Sequence, residues 1–115
     1  MNKRQSRNER TRIVRSSGNV FADLGHPDAE ERQTKLRLAF ALNQIIDKQH
    51  LTQTATAELL GINQLKVSAL MRYKLESFSV ERLLTLLTAL DRDVEIVICK
   101  KPRSRSAARI SVIAI

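Results

Sequence analysis

Residues 51–72 read LTQTATAELLGINQLKVSALMR, and the spacing within them decides the fold. Two short amphipathic stretches flank Gly61-Ile62-Asn63. Thr52 has the side chain of an N-cap, which predicts a helix over Gln53 to Leu60. Gly61 accepts the left-handed backbone that ends a helix in a tight turn. Ile62 plugs the elbow, and Asn63 caps a further helix running from Gln64 to near Arg72. Ala57 is small where the two helices cross, while Val67 and Leu70 are spaced to anchor the second helix from beneath. These are the requirements of two helices joined at a steep angle by a short turn, a helix-turn-helix.

Anchoring by Val67 and Leu70 turns the opposite edge outward. That edge holds Gln64, Leu65, Ser68, Ala69 and Arg72, with Lys66 at its flank. Glutamine can bond bidentately to adenine, and arginine can pair with guanine or phosphate. Ser68 suits a base edge or a phosphate, Leu65 suits a thymine methyl, and Lys66 is placed for backbone phosphate. Thr52 and Gln53 open the preceding helix, where backbone N–H groups favour an anion. Arg72 and Lys74 can hold the far side of a groove. Periodicity alone leaves two readings, a DNA-reading edge or the solvated face of an ordinary helical protein. The joint pattern of Thr-Gln, Ala, Gly, capping Asn, Val and Leu favours the first.

Outward from this centre, Asp28 resembles an N-cap with Glu31 as its capping-box partner, predicting a long first helix over Ala29 to Gln49. Leu38, Ala39, Ala41, Leu42, Ile45 and Ile46 share one face of it. Leu36 and Phe40 lie to one side, placed to receive either the Phe21 segment or a second subunit. Ser79 caps a fourth helix, Val80 to Leu90, whose apolar face is wide enough to meet a partner as well as the core. Val94 to Cys99 is rich in β-branched residues and strand-like. A lone strand is unstable, so it must pair. The expected architecture is all-α: a compact bundle of four to five helices with a helix-turn-helix, plus a short C-terminal strand that pairs across a dimer. Its domain occupies residues 20–99, between a basic arm at 1–19 and a basic tail at 100–115. Dimer or partner contacts are expected from Phe21, Leu24, Leu87, Val94, Ile96 and Ile98. No assignment follows for the apolar segment 110–115.

The 115 residues carry a net charge of +8, unevenly placed. Residues 1–27 hold six Lys/Arg against Glu9 and Asp23; residues 28–99 hold nine against ten acids; residues 100–115 hold five and no acid. The middle is therefore close to neutral between basic ends. Basic ends suggest a polyanion partner, and they also occur simply as solubilising tails. Cys99 is the single cysteine, so an intramolecular disulfide framework is excluded. No stretch approaches the roughly 18 apolar residues of a membrane span, and the start of the chain lacks a signal-peptide apolar run. A soluble, cytoplasmic protein is expected.

Residues 51–74 resemble the helix-turn-helix of the XRE family, the repressor class that includes the phage repressors and Cro. Ser17-Gly18-Asn19-Val20-Phe21-Ala22-Asp23-Leu24-Gly25, Leu51-Thr52-Gln53, Glu58-Leu59-Leu60-Gly61-Ile62, Lys66-Val67-Ser68-Ala69-Leu70, Phe78-Ser79 and Val94-Glu95-Ile96-Val97 are similar to XRE proteins of the HigA-like antitoxin kind. The similarity covers residues 16–99. It implies a homodimer that binds a palindromic operator in double-stranded DNA and represses its own operon. It also implies neutralisation of a neighbouring RNA-cleaving toxin of the RelE/HigB type. A stand-alone regulator without a toxin, or a protein–protein adaptor that no longer reads DNA, are the alternatives. The chain departs from the family at Thr54, Ala55 and Thr56, at Leu65, at Tyr73 where glycine is common, and in the basic tail after Lys101. Tyrosine tolerates positive φ poorly, so the helix before Tyr73 is expected to end differently.

Nothing in the sequence suggests catalysis. His26 precedes Pro27, His50 ends a helix where a cation suits the dipole, and Glu30-Glu31 begin one where acids are expected. No Cys/His/Asp group has metal-ligand spacing. Cys99 reads as a strand residue without a base partner. No cofactor and no metal are expected.

Overall fold

The computed structural model describes residues 27–115, which form four helices. They are α1 (Pro27–Lys48), α2 (Gln53–Leu60), α3 (Gln64–Met71) and α4 (Val80–Ala89). The basic arm and the expected contacts of Phe21 and Leu24 lie outside the described residues. The all-α helix-turn-helix architecture is present, with α2 and α3 bounded where the capping residues place them. Thr52, Asn63 and Ser79 are extended, and their side chains accept from the backbone N–H groups of Ala55, Lys66 and Arg82. The start of α1 differs from expectation. Pro27 is already helical, so Asp28 lies in the first turn with Glu30 instead of capping it. Proline suits that turn because its φ is preset and no N–H is missed.

The chain divides into two compact units. The helical unit comprises Glu31–Ile96 with Ser111–Ile115. Its core joins Leu38, Ala39, Leu42, Ile45 and Ile46 of α1 to Leu60, Leu70, Leu75, Phe78 and the α4 residues Leu83, Leu86 and Leu87, with Leu90 beyond. Thr56, one of the family departures, is fully buried in α2. Its hydroxyl donates to the Thr52 carbonyl at 2.7 Å, which removes the penalty of burying it. Leu87, expected at a partner contact, is buried at 8% exposure within this core and leaves α4 no spare face at that position. The apolar C-terminus now has an assignment: Val112 packs on the core, and Val112 and Ala114 line a shallow groove with Leu36, Phe40 and Ala41 of α1. The chain's own end thus reaches the side of α1 expected to receive Phe21 or another subunit.

Residues 94–99, expected as a strand paired across a dimer, have no regular secondary structure within the single chain. Strand pairing requires a second backbone alongside, and no described segment supplies one. Val94 is half-buried against the core, whereas Ile96 and Ile98 are 76% and 93% exposed. In the described part of the other unit, residues 27–30 and 97–110, the basic segment is likewise irregular. The Ile110 N–H donates to the Glu30 carboxylate at 3.0 Å.

All four helices stop by the same device. His50, Gly61, Tyr73 and Asp91 take φ of 53°, 70°, 61° and 61°. The next residue in each case, Leu51, Ile62, Lys74 or Arg92, donates its N–H back to the carbonyl of Ile46, Ala57, Ala69 or Leu87 at 2.8–3.1 Å. This six-to-one bond is the Schellman closure, which satisfies orphan carbonyls at a helix end. Tyr73 therefore adopts the left-handed conformation despite its Cβ; the returning bond from Lys74, at 2.8 Å, compensates the steric cost. His50→Gly is expected to raise unfolding free energy by about 0.5–1 kcal/mol, because glycine relieves the left-handed strain at an exposed position. Gly61→Ala should lower it by about 1 kcal/mol, since a Cβ there meets nothing within 4 Å and only the backbone conformation resists. Thermal denaturation would register opposite shifts of several degrees.

Candidate nucleic-acid interface

α3 is a rod with one edge sealed and one edge open. Val67 and Leu70 have 0% exposure, whereas Leu65 is 82% exposed and Gln64 and Arg72 also face solvent. Ser68 and Ala69 are half-buried, so the open edge is narrower than the helical wheel suggests. Thr52 and Gln53 are exposed at the start of α2, and Lys74 is exposed beyond the end of α3.

Three polar contacts set the posture of this edge. The Gln64 side-chain amide donates to the Thr54 hydroxyl of α2 at 3.2 Å. Thr54 departs from the family pattern, yet it is the residue that ties Gln64 to the preceding helix. The Asn43 amide of α1 donates to the Leu70 carbonyl at 3.1 Å, joining the long helix to the inner edge of α3. Neither tie was legible in the sequence, because both link residues from different helices. Thr54 and Asn43 carried no local signal of their own.

Lys66 is the third case. The sequence places it towards backbone phosphate, but in this structure its ammonium is engaged with the protein. It donates to the Ser77 carbonyl at 3.1 Å and stands 4.7 Å from the centroid of the Phe78 ring. Phe78 is 2% exposed, so the lysine stem and charge lie over the rim of the core. The exposed cations at this end are thus Arg72 and Lys74. Thr52 is likewise partly occupied, as its hydroxyl oxygen accepts from Ala55 while its own proton remains available to donate.

Among the described residues no group of three or more His, Cys, Asp or Glu could hold a metal ion, and no helix is long and apolar enough to cross a membrane. Cys99 is exposed and free. Lys66→Met keeps the alkyl stem but removes the hydrogen bond and the cation–ring contact. It is expected to lower stability by about 1 kcal/mol in urea denaturation.

Comparison with known proteins agrees with this geometry. The family described as "Helix-turn-helix domain" matches residues 20–99. A solved structure named as an XRE family transcriptional regulator is 75% identical, with a TM-score of 0.75. The similarity covers 77% of this chain and 100% of that one. No curated protein matches. With a family match across most of its length and an XRE relative spanned end to end, the chain belongs to the XRE type of helix-turn-helix transcriptional regulators.

Proposed function

We propose that the protein binds double-stranded DNA sequence-specifically, with α3 lying in the major groove and its Gln64–Leu65–Ser68–Arg72 edge against the bases. The observation that carries this reading is the contrast along α3: Val67 and Leu70 fully buried, Leu65 almost wholly exposed beside Gln64 and Arg72. A leucine held this far into solvent gains nothing unless something apolar meets it, and the thymine methyl is the apolar feature of the major groove. Gln64, steadied by Thr54, keeps its carbonyl oxygen and a second amide proton for a base edge. Arg72 and Lys74 contact the far strand, and Thr52 and Gln53 present the start of α2 to a phosphate. Lys66 acts from the rim, holding the turn after α3 over Phe78 unless DNA draws its ammonium away.

The protein acts as a homodimer on a palindrome whose half-sites lie about one helical turn apart. Val94 to Cys99 pairs with its counterpart across the dimer axis. The support is the run of exposed apolar residues at Ile96, Val97 and Ile98, which in one chain cover nothing. Antiparallel pairing would hide one edge and give each backbone a partner. Within the domain at 20–99, this segment and the Phe21–Leu24 island hold the remaining partner contacts; residues 1–19 are a basic arm, and the tail at 100–115 is basic over 100–109 before Val112 returns to the helical core. The operon repressed is its own, and its further partner is a RelE/HigB-like toxin, a role supported by the HigA-like pattern of residues 16–99. Its place is the cytoplasm, and it works without enzymatic activity.

Gel-shift titration with the gene's own upstream duplex tests the reading edge. Gln64→Ala and Arg72→Ala should each lose about 1–3 kcal/mol of specific binding. Unchanged binding in both variants would remove α3's outer edge from the interface. Co-purification of a toxin encoded next to this gene separates the antitoxin role from stand-alone regulation. A folded chain that fails to distinguish its own upstream duplex from any other would favour the adaptor.

A further inference from the structure

The stretch of chain that carries α3 is close to neutral in net charge. Residues 28–99 hold nine lysines and arginines against ten acids. Some of these cations are engaged internally: Lys35 lies 3.8 Å from Glu31, and the Lys66 ammonium sits on Ser77 and Phe78. Duplex DNA presents one negative charge per about 1.7 Å of its axis. A stretch of near-zero net charge can discriminate between bases, but it releases few of the counterions that supply much of the affinity for a duplex.

Residues 100–109, KKPRSRSAAR, have the opposite character, with five cations and no acid. Lys100, Lys101, Arg103 and Arg109 are exposed, and Arg105 is half-buried. Among the described residues none of the five is in an ion pair. The segment instead curls on itself. The Arg105 N–H donates to the Pro102 carbonyl, Lys101 donates to the Arg105 carbonyl at 2.8 Å, and Arg105 donates to the Ala107 carbonyl at 3.2 Å. Partial burial and then the charge of Arg109 push the Arg105 guanidinium below its usual range, against a smaller raising effect from Cys99. The segment is also no free tail: Val94 before it and Val112 after it both pack on the helical core. A loop held at both ends loses less freedom on binding than an open tail.

We propose that residues 100–109 form a sequence-independent clamp on the DNA phosphate backbone, adding electrostatic attraction to the little that Arg72 and Lys74 supply at the end of α3. The proposal rests on the reading of the chain as a DNA-binding protein, and it divides the labour between two parts of one chain. The α3 edge decides which duplex is bound, and the basic loop decides how strongly any duplex is held. Its cations meet phosphates as point charges, so the loop needs no fixed structure of its own.

The test uses the full chain and a variant with Lys100→Gln, Lys101→Gln, Arg103→Gln and Arg109→Gln, all exposed positions outside the helical core. Circular dichroism checks that the helices are retained. Affinity is measured for the gene's upstream duplex and for an unrelated duplex of equal length, across a range of salt concentrations. With four cations fewer to neutralise phosphates, the slope of log K against log salt should fall in magnitude by about 3–4 on both duplexes. The preference for the upstream duplex should stay the same. An unchanged slope overturns the clamp, as does a variant that weakens only the upstream duplex. Loss of binding to phosphatidylserine vesicles with no change on DNA overturns it too. If the wild-type chain holds both duplexes equally, the base-reading function fails while the slopes still judge the clamp. Binding to neither duplex sinks both.

Discussion

The burial of Val67 and Leu70 is the constraint on which the rest depends. A two-turn helix can roll about its axis at little cost unless something pins it. Two aliphatic side chains one turn apart, each fully removed from water, supply the pin. With that roll set, Gln64, Leu65 and Arg72 must face outward, and the residues between them must fall at the margin. The neighbouring ties refine a posture that burial has already selected. Asn43 holds the Leu70 carbonyl from α1, Thr54 steadies Gln64 from α2, and Lys66 bridges to the turn after α3.

Helix length matters as much as roll. Each of the four helices stops where a residue turns into the left-handed region and the following N–H reaches back five residues. Glycine occupies that place once; histidine, tyrosine and aspartate occupy it otherwise. The closure is therefore a property of the helix end and its returning bond, not of one residue type. Tyr73 and Lys74, which end α3, set how far the reading helix extends and place Lys74 in solvent beside Arg72. The strain at Tyr73 is stored at the end of α3, close to the edge proposed to read DNA.

Charge is unevenly distributed along the chain. The helical unit is close to neutral, and only Arg72 and Lys74 of its exposed cations lie at the end of α3. The basic run lies between two half-buried valines, Val94 and Val112. Keeping strong positive charge off the reading surface has a physical rationale. A densely basic reading edge would bind every duplex and blur the differences among bases, which are worth only about 1–3 kcal/mol each.

The helix-turn-helix was legible because its signals are local. Thr52, Asn63 and Ser79 cap the turn that follows them, Gly61 ends the helix before it, and Val67 and Leu70 repeat with the helical period. Such features operate within a few residues, so the linear order of side chains suffices to place them. Tertiary structure alone decided what depends on separate segments meeting. It drew Lys66 onto Phe78, buried Leu87, brought Val112 to the side of α1, and left residues 94–99 without a paired backbone. It also let Tyr73 take a conformation that residue preference argues against, because the bond returning from Lys74 to Ala69 exists only once the helix has closed. Local propensity is written one residue at a time, whereas each of these outcomes is a balance between a small local cost and a contact the chain makes only when folded.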